Sequence, residues 1–320
     1  MHRWTDLSQV PRDLEASVVT IGNFDGVHRG HQEVLGRTVA DARRDGATSV
    51  AVTFDPHPAQ VHRPDQAPPL ITGLRDRLDL LASTGLDAVL VATYDLDFAS
   101  QGPAEFVRDW LVHGLRARTV VVGHDVRFGR GNAGDLSTMV DLGARFGFDV
   151  DVLHDAGDAG RGVGERRWSS SWVRELLVAG DVAAASRVLG RPHRVRGVVV
   201  HGDARGRELG FPTANLGADA EGLVPADGVY AGHLRRHGGA GPAMPAAISI
   251  GTNPTFDGAQ RRVEAYVVGR TDLDLYGEQV LLELAERLRP TQRFDSVDAL
   301  VDQMHLDVRR TVELLVAGGA

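Results

Sequence analysis

The chain has no cysteine, and none of its 35 basic residues is a lysine. Without cysteine there is no disulfide framework, no thiolate nucleophile and no thiolate metal site, which fits a reducing compartment. Without lysine there is no Walker-A lysine, no strand lysine of the protein-kinase type and no Schiff base. Any phosphoryl transfer by this chain would proceed without a P-loop. The all-arginine composition itself is what a GC-rich coding sequence produces. Long apolar runs are also missing. None approaches membrane-spanning length, and Met1-His2-Arg3-Trp4-Thr5-Asp6 has neither the basic start nor the apolar core of a signal peptide. A cytoplasmic protein without a membrane partner is expected. The formal net charge of −8 argues against a nucleic-acid partner, because gripping a phosphate backbone needs a basic surface. What is present is 320 residues, 42% of them hydrophobic, enough for two cores.

Through the first half, short β-branched runs at 18–21, 50–54, 88–92, 119–122 and 150–153 alternate with helical patterns at 32–44, 74–83, 103–113 and 136–146. Strands separated by helices predict parallel βαβ units, hence an α/β domain with a doubly wound parallel sheet. Two further helical patterns, 172–178 and 182–189, precede a change of grammar. From Arg194 the chain reads as strands at 195–200, 228–234, 246–250, 263–268 and 279–284, separated by glycine- and proline-rich loops. These predict a small antiparallel β-barrel. A terminal helix is expected over 296–316, with Val297, Leu300, Val301, Met304, Val308, Val312 and Leu315 as a core-packing stripe. The expected domains are 1–186 and 187–320.

Ligands of open α/β sheets collect beyond the carboxyl ends of the strands. There the first strand breaks into Gly22-Asn23-Phe24-Asp25-Gly26-Val27-His28-Arg29-Gly30-His31. Glycines let N–H groups approach an anion at a helix start, and His28 and His31, three apart, share one face. Neutral imidazole N–H groups on that face suit charge building on a phosphorus centre. Either histidine can equally be read as a cap, and Asp25 as a cap or a magnesium-positioning group. Later, Ser169-Ser170-Ser171-Trp172-Val173-Arg174 puts hydroxyls ahead of a helix and an arginine in its first turns. That is an ordinary N-cap or a triphosphate grip with a guanidinium for departing pyrophosphate.

The first segment resembles the GNFDGVHxGH form of the HxGH signature of α/β nucleotidyltransferases, and the second resembles their SSTxIR signature, with Ser171 for threonine and Val173 for isoleucine. Together they look like the adenylyltransferase half of bifunctional riboflavin kinase/FAD synthetases. The resemblance implies transfer of AMP from ATP to FMN, giving FAD and pyrophosphate, with Mg²⁺. His28, His31 and Arg174 would act on the phosphates, and Gly22 to Gly26, Gly30 and Ser169 to Ser171 would bind ATP. It also implies a flavin side built from Phe54, Pro56, His57, Pro58, Asp125, Arg127 and Phe128, whose rings offer flat apolar surface. The family commonly has an aromatic where Val126 stands.

In the second half, Gly202-Asp203-Ala204-Arg205-Gly206-Arg207-Glu208-Leu209-Gly210-Phe211-Pro212-Thr213-Ala214-Asn215 is a glycine-rich flap leading into an extended segment. Side chains two apart on a strand share a face, so Thr213 and Asn215 present two neutral oxygens to one point, as suits Mg²⁺ completed by phosphates and water. Glu264 interrupts an apolar strand; it is either functional or solvent-facing beside Arg261 or Arg262. The flap resembles the GxxRGxxLGFPTAN signature of riboflavin kinases, and further family-like segments include Asn253. The resemblance implies ATP-dependent phosphorylation of riboflavin to FMN. Gly202, Arg205, Gly206, Gly210, Phe211, Pro212 and Asn253 would bind ATP, Thr213 and Asn215 the metal, and Glu264 would be the general base. Two rival readings are an adenylyltransferase for another acceptor with a regulatory flavin module, and a tRNA-synthetase-type enzyme. The first leaves the metal pair and base unexplained; the second lacks a lysine-bearing loop and a basic surface.

Overall fold

The computed structural model describes residues 1–153, 166–202, 206, 209–252 and 261–317, the last two without side chains. The chain divides into two compact units, 1–69 with 74–169, and 70–73 with 170–320.

The first unit is the expected α/β domain. Its elements are β1 (His2–Trp4), β2 (Ser17–Ile21), α1 (Arg29–Asp45), β3 (Thr48–Asp55), α2 (Pro58–His62), α3 (Leu74–Ala82), β4 (Ala88–Thr93), α4 (Leu96–Ala99), α5 (Pro103–Phe106), β5 (Ala117–Gly123), α6 (Leu136–Phe146) and β6 (Asp149–Leu153). Six parallel strands run in the order β1-β4-β3-β2-β5-β6. Their side chains alternate between two buried layers. Val19, Val50, Val52 and Leu90 pack with Phe106, Leu111 and Met139 on one face, and Ala51, Val89 and Val91 with Leu35, Val39 and Leu81 on the other. Burial on both faces is why these strands read as near-continuous apolar runs. The strand order reverses at β2, between β3 and β5, so the crevice for a ligand opens there. Two differences from expectation appear. β1, three residues at the sheet edge, is too short to carry a periodic signal. The pattern over 103–113 is a short α5 continued by a π-helix over Val107–Gly114, a distinction that eight residues of hydrophobic spacing cannot make.

The second unit begins with α7 (Ser170–Ala179) and α8 (Val182–Leu189) and continues into β7 (His193–Val200), β8 (Thr213–Leu216), β9 (Gly228–Arg235), β10 (Met244–Thr252), β11 (Arg261–Val267), β12 (Gln279–Arg289) and α9 (Val297–Ala317). The strands close into an antiparallel barrel in the order β10-β11-β8-β7-β12-β9. Alternation is strict at its wall. Ala214, Leu216, Val263, Ala265 and Val267 are buried, while Thr213, Asn215, Glu264 and Tyr266 between them are half-exposed on the other face. α8 packs on β7 and β12, burying Val182, Ala185, Val188 and Leu189, and α9 packs on β9 and β10.

α9 corrects the expected core stripe. Val297 and Val312 are exposed, and Leu300, Met304 and Val308 border an open cleft instead of a filled core. The buried positions on this helix are polar, Asp307 and Thr311. Asp307 accepts three hydrogen bonds of 2.9–3.1 Å from Arg289 at the end of β12, and another from Gln303 at 2.9 Å. A charge-assisted clamp therefore seats the helix, leaving its apolar stripe free to line the cleft.

Candidate active sites

The turn after β2 is held in an uncommon backbone conformation. Phe24 and Val27 have positive φ, 49° and 39°, beside Gly26 at 82°. For a β-branched residue this is an outlier costing about 1–3 kcal/mol, a strain typical of functional turns. Burial of both side chains to 2% exposure in the α1/α3 layer offsets it. Asn23, between them and β2, offers its carbonyl to Thr53 at 3.2 Å and to the Arg77 guanidinium at 3.1 Å.

His28 is the N-cap of α1, its Nδ1 accepting the backbone N–H of His31 at 3.3 Å. The capping reading is thus correct for His28, and it fixes the chemistry of the ring: with Nδ1 an acceptor, the proton of the neutral imidazole lies on Nε2. The His31 ring stacks on it, centroids 3.7 Å apart, and meets Phe24 edge-on at 5.2 Å. Burial, then the neighbouring His28 and Arg167, push His31 well below the usual histidine value, so it is neutral at physiological pH. Its Nδ1 is buried with no hydrogen-bond partner among the described residues. A buried polar atom left unmatched is costly unless something else pairs with it. A Cβ on Gly30 would stand 3.3 Å from the His28 ring, so only glycine leaves the ring its place without displacement.

At the reversal of strand order, a cleft of about 740 Å³ of empty space draws its walls from the ends of four strands: Gly22 and Asn23 after β2, Phe54 and Pro58 at β3, Tyr94 and Phe98 after β4, and Val126 to Gly129 after β5. Of the expected flavin residues, Phe54, Pro58, Arg127 and Phe128 are on this wall; Pro56, His57 and Asp125 are not. His57 caps α2, its Nδ1 accepting from Ala59 at 3.1 Å. Asp125 pairs with Arg167 at 2.8 Å, which lowers its pKa. The sequence reading missed Tyr94 and Phe98. Both rings lie against Phe54, 5.6 Å between centroids, and a tyrosine after β4 and a phenylalanine in the short α4 carry no motif by themselves. They supply aromatic wall near the Val126 position. Ser169 lies in the first unit and Ser170, Ser171 and Arg174 on α7 in the second.

In the barrel, Glu264 stands opposite Asn215 and Tyr266 opposite Thr213 in the β11–β8 register. The Thr213 hydroxyl donates to Glu264 at 3.5 Å, and the Asn215 amide nitrogen lies 3.5 Å from the same hydroxyl. Three polar groups thus converge on the barrel's outer wall, as the two-residue alternation predicts. Glu264 lies in a cleft of about 840 Å³ whose other walls are Phe211, Tyr266 and the α9 stripe, together with Arg289 and Asp307. Thr213 also borders a second, open hollow with Pro212, Arg270 and Tyr276. It therefore stands where the two hollows meet. Gly206 and Phe211, expected on the nucleotide side, border the Glu264 cleft, and Gly202 lies so close to the Asn215 amide that a Cβ there would collide with it. Arg205 and Asn253 lie outside the described residues. No group of three His, Cys, Asp or Glu side chains among the described residues could hold a metal. Neutral oxygens from Thr213 and Asn215 remain, a donor set that fits Mg²⁺ bound chiefly by phosphates.

Residues 10–167 match the family model for FAD synthetase, and residues 189–315 the model for riboflavin kinase. The chain is 37% identical over 302 residues to the bifunctional riboflavin kinase/FMN adenylyltransferase of Escherichia coli, covering 94% of this chain and 93% of that protein. It is 33% identical over 308 residues to the Bacillus subtilis protein of the same description, covering 95% and 94%. A solved structure described as a macrolide-efflux protein from Streptococcus pneumoniae is 30% identical with a TM-score of 0.82, covering 97% of both chains. No described helix of this chain is long and apolar enough to cross a membrane.

Proposed function

The chain belongs to the family of bifunctional riboflavin kinase/FMN adenylyltransferases, and from that premise we propose which of its residues carry each half-reaction. It phosphorylates riboflavin to FMN and transfers AMP from ATP to FMN, forming FAD.

In the first unit, the FMN phosphate oxygen attacks the α-phosphorus of ATP as pyrophosphate leaves. No covalent enzyme intermediate is needed, so the protein contributes position and charge stabilisation. The observation that carries this assignment is the stacked His28–His31 pair at a helix start, one ring with Nδ1 taken up by the helix cap and the other, held neutral by burial, with a buried unmatched nitrogen. Both donate to the phosphate as charge builds. The 740 Å³ cleft takes the isoalloxazine between Phe54, Tyr94, Phe98 and Phe128. The motif of Ser169 to Ser171 and Arg174 supports a role for these residues on ATP phosphates.

In the barrel, riboflavin occupies the α9-covered cleft with its 5′-hydroxyl at Glu264. The carboxylate accepts the hydroxyl proton while the oxygen attacks the γ-phosphorus, and ADP departs. The nucleotide enters along the glycine flap, and Thr213 and Asn215 would hold Mg²⁺, which would shield the phosphate charge. ATP dependence and the absence of cysteine support a cytoplasmic location.

Chromatography of products formed from riboflavin, ATP and Mg²⁺ tests the division of labour. His31→Ala is expected to stop at FMN, and Glu264→Gln to form neither flavin product from riboflavin while converting supplied FMN to FAD. Normal FAD output from a folded His31→Ala protein would refute the first assignment.

A further inference from the structure

We infer that Arg77 is a positioning residue for adenylyl transfer, clamping the nucleotide-binding turn to the flavin wall through their backbone carbonyls. This rests on the site assignment above. Arg77 projects from α3, the helix whose leucines also cover Phe24 and Val27 of the histidine turn, and is 1% exposed. Its Nη1 donates to the carbonyl of Asn23 at 3.1 Å, and its Nη2 to the carbonyl of Phe54 at 2.9 Å. Asn23 belongs to the turn of His28 and His31, and Phe54 to the end of β3 that walls the flavin cleft. One rigid fork therefore spans the two places where the two reactants are held.

Burying a guanidinium is expensive, and this one is poorly compensated for a purely structural role. Nε has no hydrogen-bond partner among the described residues, and the nearest carboxylate oxygen, on Asp55, is 3.6 Å away. Burial lowers the arginine pKa, opposed by Asp55 and Asp25. An aliphatic side chain would fill the same volume at lower cost. What it could not do is bind at once the carbonyl of a turn residue after β2 and that of a residue at the end of β3. A planar fork with two separate Nη groups suits that task, whereas a lysine ammonium is a single point of attachment. Because adenylyl transfer depends on the distance between an oxygen of one substrate and a phosphorus of the other, a clamp between their sites acts on the joint geometry and leaves either site able to bind alone.

The test uses full-length Arg77→Met and Arg77→Lys proteins. FAD formation is measured with FMN and ATP each varied, FMN binding by quenching of its fluorescence, and riboflavin phosphorylation as a control in the same chain. For Arg77→Met, kcat of adenylylation is expected to fall about a hundredfold, as for a misplacement on the order of 1 Å, with KM for both substrates changed by less than about threefold. Arg77→Lys should fall between Met and wild type. Wild-type kcat in Arg77→Met overturns the clamp, and so does a loss of kcat matched by an equal loss of FMN binding. If Arg77→Met does not fold, Arg77→Lys decides: reduced kcat at unchanged KM supports the clamp, wild-type kcat refutes it. Assaying His31→Ala alongside separates the two ideas. Loss there without loss in the Arg77 variants leaves the site assignment standing and removes only the clamp.

Discussion

His28 and His31 are coupled twice over: Nδ1 of the first accepts the backbone N–H of the second at 3.3 Å, and their rings stack 3.7 Å apart. Capping and catalysis are therefore not rival readings of His28. With Nδ1 taken up by the cap, the proton of the neutral ring lies on Nε2.

Capping and donation separate in His28→Asn. Asparagine is among the best N-cap residues, so the variant should lose only a few tenths of a kcal/mol, whereas His28→Ala should lose about 1 kcal/mol. Both lack the imidazole N–H, and both should lose about a hundredfold or more in adenylyl transfer. Thermal melts read the first difference and FAD assays the second. An active His28→Asn protein would leave His28 with the cap alone.

The barrel chemistry predicts two distinguishable failures. Glu264→Gln keeps the shape and removes the proton acceptor, so kinase turnover should fall by roughly 10²–10⁴ while riboflavin and ATP still bind. Asn215→Ala weakens the magnesium–nucleotide complex, and excess Mg²⁺ should restore part of its rate and none of the glutamine variant's. Titrating Mg²⁺ against both variants makes the comparison, and equal rescue would contradict the separate roles.

Packing of α8 against β7 and β12 bears on where the barrel can be cut free. A fragment of residues 170–320 retains α7 and α8, whereas one starting at 187 removes buried Val182, Ala184 and Ala185 from the strands they cover. Losing such packing typically costs a few kcal/mol. The longer fragment should convert riboflavin to FMN and melt well above the shorter one. Equal melting temperatures would show that the helices are dispensable to the barrel.

His193, 1% exposed at the start of β7 and hydrogen-bonded to the Leu223 carbonyl at 2.7 Å, is pushed by burial down to about 4. The unfolded chain takes up this proton near pH 6.5 and the folded chain does not. Stability is therefore full above pH 6.5 and is lost as the pH falls toward about 4, by about 3 kcal/mol. His31, also held low by burial, adds a loss of the same sign in the first unit. Urea midpoints of the barrel at pH 7 and pH 5 should differ in wild type and differ less in His193→Gln, which keeps an N–H and cannot titrate; His233, also lowered by burial, leaves a remainder of the same sign.

The sheet was legible because its strands are apolar on both faces, and the barrel because turns punctuate its alternating runs. Thr213, Asn215 and Glu264 were legible because period-two spacing alone puts the first two on one face, while a lone carboxylate such as Glu264 is unusual in an apolar strand. Arg77 was invisible for the opposite reason. It acts on carbonyls, which every residue has, so its partners leave no trace in side-chain identity. Tyr94 and Phe98 join Phe54 only once β3 and β4 are paired, a contact between segments some forty residues apart. On α9 the spacing of apolar residues was read correctly and their neighbour was not, since periodicity shows which side chains share a face and not what lies opposite.

The barrel wall carries its core on one side and its reacting groups on the other, residue by residue. Sliding β8 by a single position against β11 would turn Thr213 and Asn215 into the packed interior and bring Ala214 to the Glu264 side. A misregistered barrel is therefore inert and cannot pass as a weakened enzyme. Kinase activity per milligram, during refolding or after a mutation far from the site, becomes a head-count of correctly threaded molecules.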